Sequence, residues 1–508
     1  ALWTDFETMT FFLSFDEAAD IGYDRNTSAL QTMAQGAADA NSDLAKNYWK
    51  AFYAGIAKCN YLLQNMSRGE DNVSPVTYTQ IKAEAQFLRA LYYSYLIELY
   101  GDVPLITDVL TLETGQQPRN PKSEVVDFIL KEYTEAAENL PSTNNPTSGH
   151  ATKGAALALK ARTALYNERW QDAISASQAV MAMEGTEYII EDDYSKLFKY
   201  EGQTSKEVIF SVQYLLGTKV HALYRLFGSR NALAHTNKKP AYQLADTWEC
   251  IDGKQIDESP MFDPKNPYEN RDPRLGYTLA VSGSEFLGFQ FETHGDSTQC
   301  WNYMTNQRVD NLEATHAYAT FTGICWRKYA NIEDKDALND CDMNTILIRY
   351  PEVLLTYAEA KIKAGEIDAS VLEAINKVRQ RPSVKMPPIT TTDPNELFYA
   401  VARERKYEFS GEGLRLFDIR RWKIAETVMN QPLLGRMKKS YPDKAPRIDE
   451  WGTAFYEGIP IAESGESADF KMRIVDIRKF DKNRDYLWPI PYIERQTNPN
   501  LTQNPNYE

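Results

Sequence analysis

"AEAQFLRALYYSYLIELYGDVPLI", Ala83 to Ile106, decides the fold class. Phe87, Leu88, Leu91, Tyr92, Tyr95, Leu96 and Leu99 recur at intervals of three and four. That spacing lays one apolar stripe along a helix predicted from Thr79 to Tyr100. Gly101 ends the helix, and Pro104 sends "DVPLI" out in extended form because proline cannot continue a helix.

The same pattern spreads outward in pairs. "NYWKAFYAGIAKCNYLLQNM", Asn47 to Met66, places Trp49, Phe52, Tyr53, Ile56, Leu62 and Leu63 at helical spacing. Helices are expected next at Ser123–Leu140, stopped by Pro141, at Lys153–Tyr166 and at Gln171–Met183. The second half repeats the habit at Tyr350–Ala364, at Ala369–Arg381 before Pro382, at Asn395–Ser410 and at Leu414–Met429. Two of the turns look alike. In "ALYNERWQDAISASQAV" and "AKIKAGEIDASVLEAINKV", Ala164, Trp170 and Ala173 correspond to Ala360, Ile367 and Ala369 with small shifts. Small residues there let helices cross closely, which is tetratricopeptide logic without its strict period; a helical bundle without a repeat is the alternative.

Between about 191 and 342 the helical pattern breaks into Gly, Pro, Asn and aromatic residues with short β-branched runs such as "EVIFSVQY". The aromatic content speaks against disorder. The expectation is a single, mostly α domain over 1–508. Tetratricopeptide-like helical hairpins, about 44–190 and 343–430, form a scaffold that carries a large, irregular, loop-rich insertion, about 191–342. The last segment, 484–508, contains "YLWPIPYIERQTNPNLTQNPNY" and reads as an extended tail whose four prolines leave no room for a helix.

Composition excludes several function classes. The net charge of −15 makes nucleic acid and anionic headgroups poor partners. No apolar run approaches the ~20 residues of a membrane helix, and no signal segment is present. Ala1 begins amid folded-looking sequence with Trp3, Phe6, Phe11 and Phe12, so the chain reads as processed or trimmed. The five cysteines are widely spaced and read as buried free thiols, and the five histidines show no i,i+4 pair. Nucleotide-, zinc- and serine-hydrolase motifs are lacking, so neither a cofactor nor a metal is expected. Carboxylate pairs of a glycan-cleaving hydrolase stay open, since 71 acidic residues are present. "DKDALNDCD", Asp334–Asp342, puts Leu338 where a calcium loop needs a ligand and reads as a solvated acidic loop. "RERKYEFSGEGLRLFDIRRW", Arg403–Trp422, alternates in sign and reads as a salt-bridge lattice holding two helices around the Gly411–Gly413 turn.

Taken in order, these motifs, with "ATKGAALALKARTALY", "DPRL", "IRYPEVLLTYAEA" and "INKVRQR", resemble the SusD-like (RagB/SusD) family over nearly the whole chain. The resemblance implies a non-catalytic, lipid-anchored outer-membrane protein at the cell surface. Such a protein captures a nutrient, usually an oligosaccharide or polysaccharide, and delivers it to a SusC-like TonB-dependent transporter. A peptide or protein ligand, or a scaffold that binds only the transporter, remains open. The lipid-bearing cysteine is expected to precede Ala1. The tail is expected to pack back on the scaffold, with Trp488 and Ile490 as anchors. The family's ligand residues lie in variable loops, so the candidate site rests on chemistry. Flat aromatics stack on sugar faces while Asn, Asp and Arg bond the hydroxyl rims. "CWNYMTNQR", Cys300–Arg308, supplies Trp301 and Tyr303, expected on one face of a strand. "DIGYDRNTS" and the residues after it supply Tyr23, Asp24, Arg25 and Asn41. "WRKY", Trp326–Tyr329, reads as a structural strand.

Overall fold

The computed structural model describes residues 10–26 and 28–507; Trp3 and Phe6 lie outside them. The scaffold helices are α1 (Asp43–Asn65), α2 (Pro75–Tyr100), α3 (Lys122–Asn139), α4 (Lys153–Tyr166), α5 (Trp170–Met181), α6 (Tyr350–Ala364), α7 (Ala369–Arg379), α8 (Pro394–Phe409) and α9 (Arg415–Arg421). Their starts are chemically marked. The Ser42, Ser74 and Thr152 hydroxyls cap α1, α2 and α4, and Pro75 and Pro394 sit just inside their helices. Each helix from α1 to α5 packs on the next, and α6 docks on α4 and α5, so the row continues across the insertion.

The two similar turns close the same way. Glu168 at φ 59° and Gly365 at φ 74° both enter the left-handed region. Arg169 N–H then reaches back to the Ala164 carbonyl, and Glu366 N–H to that of Lys361. Ala164, Ala173 and Ala360 are fully buried between helices, whereas Ala369 is exposed at the start of α7.

Short strands accompany the helices: β1 (Gly22–Asp24), β2 (Val208–Val212), β3 (Lys238–Pro240), β4 (Gln299–Asn302), β5 (Gln307–Asp310), β6 (Thr345–Arg349), β7 (Pro432–Gly435) and β8 (Arg473–Ile477). β2 and β6 pair antiparallel and stitch the two ends of the insertion together. The insertion is less irregular than its sequence suggests. Residues 285–310 form a four-stranded antiparallel meander that ends in β4 and β5. Trp326 is buried in a strand paired with Leu279–Ala280. The acidic loop is tied down at both ends, because the Tyr200 hydroxyl bonds Asp334 at 2.6 Å and Asp342 at 3.2 Å.

Two expectations are corrected. The helix read from Leu414 to Met429 stops at Arg421; Lys423 turns at φ 59°, and a short helix, Ala425–Val428, follows. The tail contains a six-residue helix, Tyr492–Thr497, which Pro491 can precede because it supplies no donor that the first turn would need. Around that turn the tail is anchored. Trp488 and Ile490 are fully buried. Trp488 N–H bonds the Leu99 carbonyl at 2.7 Å. The Asn504 amide and Arg119 reach the Tyr100 carbonyl at 2.9 and 3.3 Å. Carbonyls left open at the end of α2 are thereby satisfied in large part by the tail, with Asn504 404 positions beyond Tyr100. Gly101 turns the chain away at φ 73°, where a Cβ would meet Leu487 at 2.9 Å.

The alternating-charge stretch is a buried lattice, and most of its partners lie outside it. Glu408 receives Arg349 at 2.5 Å, Arg381 at 2.8 Å and Arg274 at 3.0 Å. Glu412 takes Arg349 at 2.8 Å and Lys328 at 2.7 Å. Glu404 pairs with Arg274 and Arg379. Glu207 closes the ring against Arg349 at 2.8 Å and Arg381 at 2.6 Å. Within the stretch itself, Asp418 holds Arg405 at 3.0 Å and Arg421 at 2.8 Å. Asp16 accepts the Gly411, Gly413 and Arg415 amides at 2.8, 3.0 and 3.1 Å, and Asp20 receives the Arg415 fork at 2.8 Å. All five cysteines are buried and free.

Asp418→Ala strands the buried Arg405 guanidinium, while Arg421 keeps Glu359, so chemical denaturation should show a loss of about 3–5 kcal/mol. Burial alone would raise the Glu408 carboxyl, but Arg349, Arg381 and Arg274 outweigh it and hold the group well below the usual carboxylate range. A depressed folded value means this stabilisation is complete above the unfolded carboxylate value, about pH 4.3, and is lost as pH falls through the lower folded one. Acid unfolding of Glu408→Gln should show a smaller pH-dependent loss in that window, from a less stable starting point.

Candidate functional site

The N-terminal segment, the insertion and the β7–β8 pair converge at one surface. β1 pairs antiparallel with β3, placing Tyr23 opposite Lys239 and Asp24 opposite Lys238. Asp24 and Lys238 form a fully buried ion pair. Tyr23 is buried against Ala241 and Leu433, flanked by Phe321 and Val475. These two residues therefore hold the floor and present little to solvent. Arg25 is the first residue to emerge. Its guanidinium donates to the Asn237 carboxamide at 2.6 Å and to the Tyr318 carbonyl at 2.8 Å.

Tyr318 is the centre of the arrangement. Its ring is 59% exposed, and it lies 5.2 Å from the Arg25 guanidinium and 5.9 Å from that of Arg230. Arg230 also donates to the Tyr318 carbonyl at 2.8 Å. Beneath it, the buried Glu313 carboxylate accepts the Arg230 and Thr320 amides. Phe321, three residues on, carries Lys239 Nζ 4.8 Å from its centroid and Arg473 at 4.3 Å. Lys239 is buried and has no hydrogen-bond partner among the described residues. Burial, with help from Arg25, pushes its pKa down to about 7. Arg473 also lines a cleft of about 1050 Å³ with Gln35, Gly36, Lys438 and Asp476. Asp476 is held by Gln35 at 2.6 Å and by Arg478 at 3.2 Å.

The β4–β5 hairpin joins this surface at its base. Asn231 donates to the Asp310 carbonyl at 2.8 Å and accepts Leu312 N–H at 2.9 Å, next to Arg230. Trp301 pairs with Arg308 and is half-buried. Tyr303 is exposed, but not on the strand face expected for it. β4 ends at Asn302, whose carboxamide accepts the Met304 and Thr305 amides and starts the turn one residue early. Arg25 and the hairpin base thus share one neighbourhood through Arg230, Asn231 and Tyr318. Asn41 is exposed elsewhere, beside the tail, where the Ala40 carbonyl accepts Tyr492 N–H at 2.8 Å. Tyr318 and Phe321 went unread in the sequence, although "THAYATF" carries the signal that marked Trp301: aromatics in a polar loop.

Exposed rings gripped by guanidiniums offer flat apolar faces beside fixed donors, a combination suited to sugars. The buried acids of this surface are committed: Asp24 to Lys238, Glu313 to two amides, Asp476 to Gln35 and Arg478. Among the described residues no group of three His, Cys, Asp or Glu could hold a metal ion.

Comparison with known proteins adds the following. The model of a family described as "SusD family" matches residues 206–507, and one described as "Starch-binding associating with outer membrane" matches residues 6–165. "SusD-like protein P2" of Formosa agariphila is 25% identical over 531 residues, covering 100% of this chain and 89% of that protein. A SusD-like carbohydrate binding protein from Bacteroides fragilis has a crystal structure that superposes with a TM-score of 0.82 at 30% identity, covering 98% of this chain and 96% of the other. "Surface glycan-binding protein A" from Bacteroides fluxus shares the fold with a TM-score of 0.70 at 21% identity, covering 100% and 96%.

The low pKa of Lys239 has a signed consequence. Its folded value, about 7, lies below the ordinary lysine value of 10.5. Between those values the unfolded chain binds more protons, so stability rises with pH across that window. Lys239→Met should reduce the rise, as read from urea midpoints between pH 7 and pH 10.

Proposed function

This chain belongs to the SusD family, and we propose that it captures an oligosaccharide or polysaccharide at the outer-membrane surface without cleaving it. Delivery to a TonB-dependent transporter of the SusC type, and attachment to the membrane through an N-terminal lipid, complete the proposal. No helix among the described residues is long and apolar enough to cross a membrane. The observation that carries the reading is the exposed Tyr318 ring clamped by Arg25 and Arg230 at the meeting point of three segments. Arg25, Trp301 and Tyr303 supply the surrounding contacts in this reading. Tyr23 and Asp24 position them, and Asn41 would meet only a ligand long enough to reach the tail. Names given to relatives, such as the glycan-binding protein of Bacteroides fluxus, support a saccharide ligand. The commitment of the buried carboxylates to cations and amides supports binding without hydrolysis.

Titration calorimetry against a polysaccharide panel tests this. Tyr318→Ala should weaken the best glycan by at least about tenfold, with little change in melting temperature because the ring is exposed. Trp301→Ala should do the same if its ring stacks on the ligand; a large fall in melting temperature instead would assign Trp301 to packing. No new reducing ends should appear on prolonged incubation. Turnover that vanishes on mutating a carboxylate pair, or binding of peptides with no glycan bound, would defeat the proposal.

A further inference from the structure

A second cavity, of about 830 Å³, opens where the α4–α5 turn faces α6, α8, α9 and the tail. Its volume falls within the roughly 300–1,000 Å³ common for small-molecule sites. Its walls are unusually aromatic. Trp422 and Trp451 lie 5.7 Å apart and 36° from parallel, and Tyr399 meets Trp451 edge-on at 4.9 Å. The Trp422 indole is fixed by its N–H to Glu359 at 2.8 Å. Trp170 and Tyr486 also line it, and all five of these rings are half-buried.

The charges around these rings are unbalanced. Lys363 Nζ sits 3.5 Å from the Phe398 centroid, and Lys423 Nζ 4.1 Å from that of Tyr486. Arg420 is 92% buried beneath the cavity. It gives one bond to the Asp485 carbonyl, while its Nε and Nη1 have no partner among the described residues. None of the three cations has a carboxylate at ion-pair distance among the described residues. The acids in the lining are spoken for: Glu98 by Lys122 and Glu359 by Arg421. Exposed Glu168 is the exception. Three unpaired cations against one acid leave a local excess of positive charge on a chain whose net charge is −15. A desolvated cation that lacks a counter-ion gains strongly when an anion enters.

We propose that this cavity is a second saccharide site, distinct from the Tyr318 surface, for a sugar ring bearing a carboxylate. The Trp451 and Trp422 faces take the C–H side of the ring, and Lys363, Lys423 and the underlying Arg420 favour its charge. A neutral sugar would leave those cations as they are, so the preference is for the acid.

The test uses trigalacturonate and a glucuronate-containing hyaluronan tetrasaccharide as probes, with methyl-esterified trigalacturonate as the neutral control. At least one acid should bind, and the ester should bind at least about tenfold more weakly than its acid. Lys363 and Lys423 are exposed, so the double variant K363E/K423E should fold normally. It should weaken the acid by at least about tenfold and leave the glycan bound at Tyr318 unaffected. Tyr318→Ala should show the reverse pattern, which keeps failure of this site separate from failure of the first. Trp451→Ala should also lose the acid; if it melts early, the lysine pair decides. Failure of both acids to bind, equal binding of the ester, or loss of the acid only in Tyr318→Ala would overturn the proposal.

Discussion

One carboxylate, Glu408, is the point from which the rest of this molecule is held. Three guanidiniums reach it from three places: Arg274 in the insertion, Arg349 at the end of β6 and Arg381 after α7. Glu207, just before β2, bridges two of the same arginines. Removing so many charges from water is costly, and apolar replacements of similar shape can be as stable. What the lattice supplies is registration. Each arginine fork accepts only a correctly placed carboxylate, so an insertion of about 150 residues can settle on the helical row in one position.

The surface around Tyr318 depends on that registration, because none of its parts belongs to the helical row. Arg25 comes from the N-terminal segment, Tyr318 and Trp301 from the insertion, and Arg473 from a strand near the end of the chain. The N-terminal segment is fixed separately, by Asp16 on the amides of the α8–α9 turn and by Asp20 on Arg415. Both anchors use the same stretch, Glu404 to Arg421. A rigid scaffold therefore carries loops whose tips are free to vary in sequence while their bases remain registered.

How much of this was legible follows from the range of each signal. Helical periodicity is local, so α2 and its neighbours could be read from single windows, and the paired turns betrayed the repeat. The lattice was legible as a lattice, because alternating charge around an apolar stripe has few other uses, but Arg274, Arg349 and Glu207 were unreadable as partners since nothing local links them to Glu408. Trp301 and Arg25 were chosen on residue chemistry. Tyr23 and Asp24, chosen on the same ground, are buried because β3 covers them, a pairing across more than 200 residues. The strand face assigned to Tyr303 failed on one side chain, that of Asn302, whose carboxamide accepts two amides and ends β4 early. The tail helix was hidden by prolines that in fact flank it.

The tail has a consequence in time as well as in space. The open end of α2 is completed by Trp488 and Asn504, residues made long after the helix they close. A nascent chain can form α2 but cannot finish it until the segment from Trp488 to Asn504 is free. Completion of α2 thus comes late in synthesis, and that delay is written into the order of the sequence.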